Sequence, residues 1–387
     1  MSTKSYLLGE KLLILIGMII LSGILGAFLG EGILHLAFID DPTAKFDFLN
    51  HPHAYPEKRT YLLLIQGIAS LSLFVVSSWL YYKIIGSKKE ISFIDSTALE
   101  KNNFKFLFYS PKNQSSILYL ITFLLAIAVL PFVGFIYQWN MNISLPEFLS
   151  SFEHLAKSAE QDAKVMTDYL VTLTGFSEIT LGFLVIAVFA GLGEEITFRG
   201  TLLPIFEKIF RNHHASIWLV GFIFSVIHLQ FYGLVPRMLL GVLFGYLYYW
   251  SKNLWLPIFA HFLNNAIMLL IELYNKNQSA ESTLDENTSM PLGLVFISMI
   301  ISALLLYAFK KTITSKKKSG WQCVFESPTL VKGQMIHDLL QHEGLHPVLM
   351  NKKDTAYGLG NIRILVKPEE VIASKKIIDE RENKEME

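Results

Sequence analysis

The chain has 387 residues, of which 52% are hydrophobic and only 17% are charged, with 33 basic and 33 acidic residues. Soluble domains average about 25% charged residues, so this composition excludes a soluble enzyme, a nucleic-acid-binding protein and a disordered chain. The single cysteine, Cys323, excludes a disulfide framework and a cysteine-based zinc site. Residues 310–387 hold 25 of the charged residues. The sequence therefore predicts a multi-pass protein of the lipid bilayer with a soluble C-terminal domain.

Eight apolar stretches are long enough to be membrane-spanning helices, because a span needs about 20 mostly apolar residues. They cover about residues 11–33, 60–84, 115–138, 177–198, 214–231, 233–250, 254–274 and 291–309. The predicted fold class is an all-α polytopic membrane bundle of about eight transmembrane helices plus a small α+β cytoplasmic domain. The predicted organisation is N-terminal transmembrane helices (1–140), an amphipathic outer loop (141–176), a transmembrane core (177–309), a basic linker (310–320) and a small α+β soluble domain (321–387).

Lysines in the loops predict the orientation, because short loops rich in lysine and arginine face the cytoplasm. Six lysines lie between residues 83 and 112, after the second predicted span, and five lie between residues 310 and 318, after the last one. The segments after the third and seventh predicted spans carry only three lysines together. We therefore expect both termini of the chain in the cytoplasm.

The long segment between the third and fourth predicted spans has apolar residues at helical spacing. These residues are Leu145, Phe148, Leu149, Phe152 and Leu155. The pattern predicts an amphipathic helix within residues 143–176 that lies at the membrane interface on the outer face and covers the bundle.

Two glycines, Gly241 and Gly245, are four positions apart within the sixth predicted span. Small residues at this spacing allow two helix backbones in a membrane to approach closely. We interpret the pair as a helix-packing feature rather than as a functional site.

Three charged residues end the apolar run of the fourth predicted span, in the sequence Gly193-Glu194-Glu195-Ile196-Thr197-Phe198-Arg199-Gly200. An ionisable residue inside a span costs at least about 2.5–3.5 kcal/mol on insertion scales. On a helix, Glu195 and Arg199 are four positions apart and are predicted to pair, whereas Glu194 points about 100° away. Glu194 is then free to act as a base. The alternative is a helix end among the lipid headgroups, where both carboxylates are solvated.

Two other predicted spans carry polar residues that match this block. His228 ends the sequence Phe224-Ser225-Val226-Ile227-His228, and His261 shares a helix face with Asn265 four positions later. A lone histidine in an apolar helix is more often a hydrogen-bonded core residue than a ligand. However, these side chains and Glu194 are too polar to face lipid and come from three different spans. The sequence therefore predicts a polar pocket within the membrane.

The residue types in this pocket restrict its chemistry. The predicted spans contain neither a Gly-x-Ser-x-Gly nor a His-Glu-x-x-His motif. Glu194 is expected to accept a proton from a water molecule that His228 orients, while His261 and Asn265 donate hydrogen bonds to the oxyanion of a peptide carbonyl. Alternatively, Glu194, His228 and His261 hold Zn²⁺ or another divalent metal with a fourth position for water. Both routes hydrolyse an amide, so the cofactor stays open between zinc and none.

The three blocks resemble the CPBP family of intramembrane proteases, which includes the eukaryotic CAAX prenyl endopeptidase and bacterial bacteriocin-immunity proteins. The motifs of that family are Glu-Glu-x-x-x-Arg, Phe-x-x-x-His and His-x-x-x-Asn. They match Glu194–Arg199, Phe224–His228 and His261–Asn265, within about residues 175–275.

The resemblance implies that residues 177–309 form the catalytic core of a CAAX endopeptidase-like protease of a bacterial inner (plasma) membrane. It implies that Glu194 and His228 activate water, that His261 and Asn265 stabilise the oxyanion, and that Glu195 and Arg199 brace the site. The substrate would be a membrane-associated protein or peptide. The family is usually described as metalloproteases, and a glutamate-dependent mechanism without metal is the alternative for this chain.

The C-terminal segment has the pattern of a small soluble domain. Its predicted elements are strands over Gln322–Glu326, Pro347–Asn351 and Ile362–Lys367 and helices over Lys332–His342 and Glu369–Ile378. This β-α-β-β-α order predicts an α+β sandwich. Trp321, the helix end His342-Glu343-Gly344 and the turn Gly358-x-Gly360 resemble a small family of signal-transducing domains with a ferredoxin-like fold. A cytoplasmic partner of residues 321–387 is therefore expected.

The leading hypothesis is an intramembrane endopeptidase. A non-catalytic membrane scaffold, or a bacteriocin-immunity protein, would use the same polar cluster for packing or for binding a partner. A transporter that relays protons through intramembrane Glu and His residues would show internal repeats. The first three predicted spans contain no second Glu-Glu-x-x-x-Arg block, which argues against the transporter.

Overall fold

The computed structural model describes residues 7–86, 104–108, 116–277, 290–318, 321–351 and 361–386. Some of the features used above, including the Gly358-x-Gly360 turn and the lysines between residues 88 and 101, lie outside the described residues. The chain divides into two compact units, Met1–Leu306 and Tyr307–Glu387.

The first unit is helical wherever the structure describes regular elements in it. Its helices are α1 (Leu8–Ala37), α2 (Ala44–Asn50), α3 (Pro56–Ile85), α4 (Ile117–Met141), α5 (Ser150–Val171), α6 (Gly175–Phe210), α7 (His213–Val226), α8 (Leu234–Ser251), α9 (Trp255–Asn277) and α10 (Leu292–Lys318), the last of which continues into the second unit. Short 3₁₀ turns at Pro52–Ala54, Phe104–Phe108 and Glu147–Leu149 lie in the connections.

Six of the described helices, α1, α3, α4, α6, α9 and α10, are long and apolar enough to cross a membrane. The predicted polytopic helical bundle is thus confirmed, but with six such helices rather than eight. Helix α7 has only 14 residues, about 21 Å at 1.5 Å per residue, which is shorter than the roughly 30 Å hydrocarbon core. Helix α8 has 18 residues but includes Pro236, Arg237 and three tyrosines, which lower its mean hydropathy.

The outermost helices expose large apolar side chains. Phe28 of α1 is 76% exposed and Leu304 of α10 is 62% exposed, and both helices expose further Leu, Ile and Phe residues. A soluble monomer rarely exposes contiguous apolar surface on this scale. The exposed faces are therefore suited to contact with lipid tails.

Wide π-helical turns interrupt α3 and α6. They cover Leu71–Val76 in α3 and Phe183–Phe189 and Ile196–Leu202 in α6. Such turns occur frequently at functional sites. The hydroxyl of Thr197 donates to the carbonyl oxygen of Phe74 across 2.8 Å and lies 3.0 Å from the hydroxyl of Ser78. These contacts join α3 to α6 directly after the Glu194–Glu195 pair.

Helices α7 and α8 approach each other closely through glycines. A Cβ atom added at Gly241 would lie 3.1 Å from the Cα of Gly221, and one at Gly245 would lie 2.8 Å from Cγ2 of Ile217. The interpretation of Gly241 and Gly245 as helix-packing residues is confirmed.

We expect Gly221→Ala to lower the free energy of unfolding by about 1–3 kcal/mol, the usual cost of overpacking. The added methyl group would lie 2.8 Å from Cγ2 of Val242 and 3.1 Å from the carbonyl oxygen of Met238, which is backbone and cannot move aside cheaply. Thermal unfolding in detergent micelles measures the change. Gly17→Ala is the matched control, because nothing lies within 4 Å of its added Cβ. Equal unfolding temperatures for the two variants would contradict the expectation.

The segment before α6 contains the predicted amphipathic helix, as α5 (Ser150–Val171). Phe148 and Leu155 are 83% and 67% exposed, whereas the ring of Phe152 packs edge-on against Phe231 at 5.6 Å between centroids. Phe148 and Leu155 are thus free to contact lipid, whereas Phe152 contacts the turn between α7 and α8. The position of α5 on the outer face stays a prediction.

The second unit contains a three-stranded antiparallel sheet of β1 (Gln322–Ser327), β2 (Val348–Asn351) and β3 (Ile362–Val366) in the order β1-β3-β2. Helices α11 (Leu330–His342) and α12 (Val371–Met386) complete it. Its core is apolar and comprises Ile336, Leu340, Ile364, Val366 and Ile378. All five predicted elements are present in the predicted order, and α12 extends eight residues beyond the predicted end at Ile378.

Candidate active site

Glu195 and Arg199 form a fully buried ion pair inside α6. Nη1 of Arg199 donates to Oε1 of Glu195 across 2.7 Å, and neither side chain is exposed. Nη2 of Arg199 donates to the carbonyl oxygen of Gly241 in α8 across 2.6 Å. The guanidinium also lies 4.8 Å from the ring centroid of Phe224, where a cation–π attraction adds to its stabilisation. The predicted pair is therefore present, and it ties α6 to α8.

His261 of α9 shares the same carboxylate oxygen. Its Nδ1 lies 2.9 Å from Oε1 of Glu195, and its ring stacks on Phe244 at 5.1 Å between centroids. Because an ionised carboxylate only accepts hydrogen bonds, we assign the proton of His261 to Nδ1. Glu195 thus fixes the orientation of this imidazole, and its Nε2 lies 3.9 Å from Oε2 of Glu194.

Glu194 is the carboxylate of the site that faces Nε2 of His261 without a hydrogen bond. The residue is 9% exposed, and its Oε2 is buried without a hydrogen-bond partner among the described residues. A buried polar atom without a partner calls for an explanation, because nearly all such atoms in folded proteins are hydrogen-bonded. A water molecule or a polar group of a substrate would satisfy this oxygen.

A cavity of about 840 Å³ opens beside Glu194. Glu194 and His228 are the only ionisable residues among the described residues that line it, and most of the other lining side chains are apolar. Helices α1 and α3 supply a large part of this lining, including Leu15, Ile19 and Leu73. The sequence motifs gave no indication that these two helices belong to the site.

His228 follows the last turn of α7. Its Nδ1 lies 2.8 Å from the carbonyl oxygen of Phe224. A carbonyl oxygen can only accept, so Nδ1 carries the proton and Nε2 of the neutral imidazole is an acceptor. The next residue, Leu229, has a positive φ of 55°, which turns the chain away from α7 directly after the histidine. His228 is thus held by its own helix end, with one nitrogen left for a ligand.

Asn265 lies one helical turn from His261 but does not line the cavity. Its Nδ2 donates to the carbonyl oxygen of Ile186, in a π-helical turn of α6, across 3.0 Å. Its Oδ1 accepts from Nδ2 of Asn264 across 3.2 Å. The structure therefore brings Glu194, Glu195, Arg199 and His261 into contact distance and places His228 in the cavity with Glu194. The predicted role of Asn265 as an oxyanion donor stays a prediction.

The part of the chain that holds these residues matches a known protein family. Residues 176–267 match the protein family described as “Type II CAAX prenyl endopeptidase Rce1-like”. A stretch of 112 residues is 28% identical to the Bacillus subtilis (strain 168) protein named “Putative membrane peptidase YdiL”, and covers 27% of this chain and 45% of that protein. The chain thus spans less than half the length of this relative. No solved structure matches the chain.

The family match supports the resemblance stated for residues 175–275. All of the predicted site residues, from Glu194 to Asn265, fall inside the Rce1-like region. Helices α1 and α3, which line much of the cavity, lie outside that region.

The metal alternative is not favoured by the arrangement of the ligands. Within the described residues, no three His, Cys, Asp or Glu side chains are grouped so that they could hold a metal ion. The predicted set of Glu194, His228 and His261 therefore does not form a ligand cluster as it stands, although the bond from Nδ1 of His261 to Glu195 leaves Nε2 available to a ligand. Metal binding by these three residues stays a prediction.

Two contributors to the site were missed in the sequence. The carbonyl oxygen of Gly241 anchors Arg199, and no sequence signal identifies a backbone acceptor. Arg237 of α8 donates to Gln230, two residues after His228, and interacts electrostatically with Glu194 and His228. The sequence could have identified Arg237, because it is the only charged residue within the sixth predicted span, residues 233–250.

Proposed function

We propose that the chain is an intramembrane endopeptidase that hydrolyses peptide bonds of membrane-associated protein substrates through a water molecule activated by Glu194 and His228. One observation carries the proposal. Glu194 presents a buried carboxylate oxygen without a hydrogen-bond partner in the described structure, and it lines the same cavity as His228. The match of residues 176–267 to a family of prenyl endopeptidases supports the same reaction class.

The proposed reaction uses Glu194 as the base and then as the acid. Glu194 accepts one proton of the bound water while the water oxygen attacks the carbonyl carbon of the scissile peptide bond. Nε2 of His228 accepts a hydrogen bond from the second proton, which orients the lone pair of the water. Glu194 then passes its proton to the leaving nitrogen as the C–N bond breaks. The products are a carboxylic acid and an amine, and the glutamate returns to its starting state.

His261 is the proposed oxyanion donor nearest to Glu194. With Nδ1 engaged by Glu195, Nε2 donates a hydrogen bond only in the imidazolium form. Asn265 has a second amide hydrogen beyond the one that binds the carbonyl of Ile186, and we propose it as the second donor.

Comparison of His228→Ala with His214→Ala tests this function. Both histidines belong to the α7 region, but His214 is exposed and its Nδ1 bonds to the hydroxyl of Tyr246 at 2.7 Å, away from the cavity. New protein N-termini in membranes containing each variant are identified by mass spectrometry. We expect cleavage to fall at least about 10²-fold in His228→Ala and to persist in His214→Ala. Full cleavage by His228→Ala would refute the mechanism.

A non-catalytic scaffold or a bacteriocin-immunity protein would show no such cleavage in the unmodified chain. Of these functions we propose the protease, because a carboxylate oxygen without a hydrogen-bond partner in the described structure lines the same cavity as an imidazole.

The membrane and the orientation belong to the same proposal. We place the protein in a bacterial inner membrane with both termini in the cytoplasm, as the lysine distribution indicates. The second unit then lies on the cytoplasmic side. Its strand order β1-β3-β2 is compatible with the proposed resemblance to ferredoxin-like signal-transducing domains, and we propose that it binds a cytoplasmic partner.

A further inference from the structure

An arginine in the first turn of α8 packs against the turn that joins α7 to α8 and carries His228. The turn begins at His228 and ends at Gly233, and Arg237 lies in the first turn of α8. Nη2 of Arg237 donates to Oε1 of Gln230 in the same turn across 2.6 Å. A Cβ added at Gly233 would lie only 2.9 Å from this Nη2. The guanidinium is therefore packed against the turn that carries His228.

One side of this guanidinium has no partner. Nη1 of Arg237 is buried and makes no hydrogen bond within the described part of the chain. Guanidinium groups carry five N–H donors and remain charged, so a buried donor of this kind is costly unless a ligand satisfies it. The arginine interacts electrostatically with Glu194 and with His228. It does not line the apolar cavity that these two residues line.

Helix α5 supplies the one further carboxylate that acts on this arginine. Glu160 interacts electrostatically with Arg237, and its Oε2 is also buried without a hydrogen-bond partner. No ion pair of 4.0 Å or less joins the two side chains in the described structure, although Phe152 of the same helix contacts Phe231 in the turn. The charge of Arg237 is therefore attracted to Glu160 but not neutralised by contact with it.

We infer that Arg237 is a specificity-determining residue that binds a carboxylate group of the substrate through Nη1, beside the scissile bond. This inference rests on the proposed function. The planar guanidinium matches a carboxylate in two parallel hydrogen bonds, which lysine cannot do. A peptide offers a carboxylate either at its C-terminus or on an aspartate or glutamate side chain. Gln230 holds the other arm of the guanidinium in place and so reduces the cost of ordering it.

A set of synthetic apolar peptides tests the inference in proteoliposomes. Each sequence is made with a free C-terminal carboxylate, with a C-terminal amide, and with a C-terminal amide plus one internal aspartate. We expect the unmodified protein to cleave a carboxylate-bearing version at least about tenfold faster than the amide, mainly through KM. The preferred version identifies the source of the carboxylate.

Arg237→Gln is expected to reduce cleavage of that version to the level of the amide, and Arg237→Lys to restore part of the preference. Arg211→Gln, at an exposed arginine, is the matched control and keeps the preference. Equal cleavage of all versions by the unmodified protein would overturn the inference. It would also be overturned if Arg237→Gln and Glu160→Gln reduced cleavage of every version equally, because Arg237 would then serve only as the partner of Glu160.

Peptide binding to the Glu194→Gln variant separates this inference from the proposed protease function. Tighter binding of the carboxylate version, lost on adding Arg237→Gln, supports the inference even if no version is cleaved by the unmodified protein. In that case only the protease function fails. Cleavage without any carboxylate preference leaves the protease function intact and rejects the inference. Absence of binding by every version rejects the inference as well.

Discussion

Replacing Glu194 by Gln is expected to lower the rate of peptide-bond cleavage by about 10²–10⁴-fold, the usual contribution of a general base. The amide has the same shape as the carboxylate but cannot accept the proton of the attacking water. The fold should be retained, because Oε2 of Glu194 has no hydrogen-bond partner that the substitution would remove from the described structure. Loss of a buried charge also removes a desolvation cost.

The measurement is single-turnover cleavage of a peptide substrate in proteoliposomes, together with thermal unfolding in detergent. Glu147→Gln is the matched control, because Glu147 is an exposed glutamate ahead of α5 and should leave both quantities unchanged. Cleavage by Glu194→Gln at the rate of the unmodified protein would eliminate the role of Glu194. Loss of the unfolding transition would show instead that the carboxylate is needed for the fold.

The second large effect is expected for Arg199→Met, which should lower the free energy of unfolding by about 3–5 kcal/mol. The substitution leaves Glu195 as a fully buried carboxylate whose remaining hydrogen-bond partner among the described residues is His261. It also removes the hydrogen bond from Arg199 to the carbonyl oxygen of Gly241, which joins α6 to α8. Breaking one partner of a buried pair is costly because the other charge stays behind without compensation.

Three variants measured by detergent-based unfolding test this expectation. Lys157→Met breaks a solvent-exposed pair with Glu153 at the same four-residue spacing, and exposed pairs contribute only about 0–1 kcal/mol. Glu195→Gln combined with Arg199→Met removes both charges and should cost less than Arg199→Met alone. A loss in Arg199→Met as small as that in Lys157→Met would show that the buried pair does not stabilise the fold.

The helical bundle could be predicted from the sequence because the lipid environment imposes a simple rule on composition. Long apolar stretches such as Leu8–Ala37 and Leu292–Lys318 have few structural alternatives in a membrane. Helix α7 was wrongly predicted to be long enough for a membrane span, because its apolar pattern continues into the turn at His228. The helix ends where the chain reverses, at the positive φ of Leu229. A leucine in the sequence does not indicate this conformation, because residues other than glycine rarely adopt it.

The charged half of the site could also be predicted, because the distance between Glu195 and Arg199 is set within one helix. The polar residues on other helices were harder to place. Asn265 was expected to face the reacting carbonyl together with His261, yet its amide binds the backbone of α6 at Ile186. A backbone carbonyl oxygen has no sequence signature, so this competing acceptor could not be anticipated.

The apolar half of the site could not be predicted at all. The cavity beside Glu194 is lined in large part by α1 and α3, whose side chains there are mostly leucine, isoleucine and alanine residues of membrane helices. Their contribution depends on which helices pack together, and hydropathy does not determine packing partners. Arg237 is the opposite case, because a charge within an apolar helix is conspicuous in the sequence, but its partner could be identified only from the fold.

The wide turn at Ile196–Leu202 constrains how this protein can change over time. The turn holds one residue more than a regular helix would need, and it lies between Glu195 and the rest of α6. Deleting one residue between Glu195 and Arg199 would restore regular geometry but shorten the spacing of the pair from four positions to three. Such a deletion would shift the guanidinium of Arg199 relative to its two acceptors, the carboxylate of Glu195 and the carbonyl oxygen of Gly241. We therefore expect functional homologues to keep the number of residues between Glu195 and Arg199 fixed.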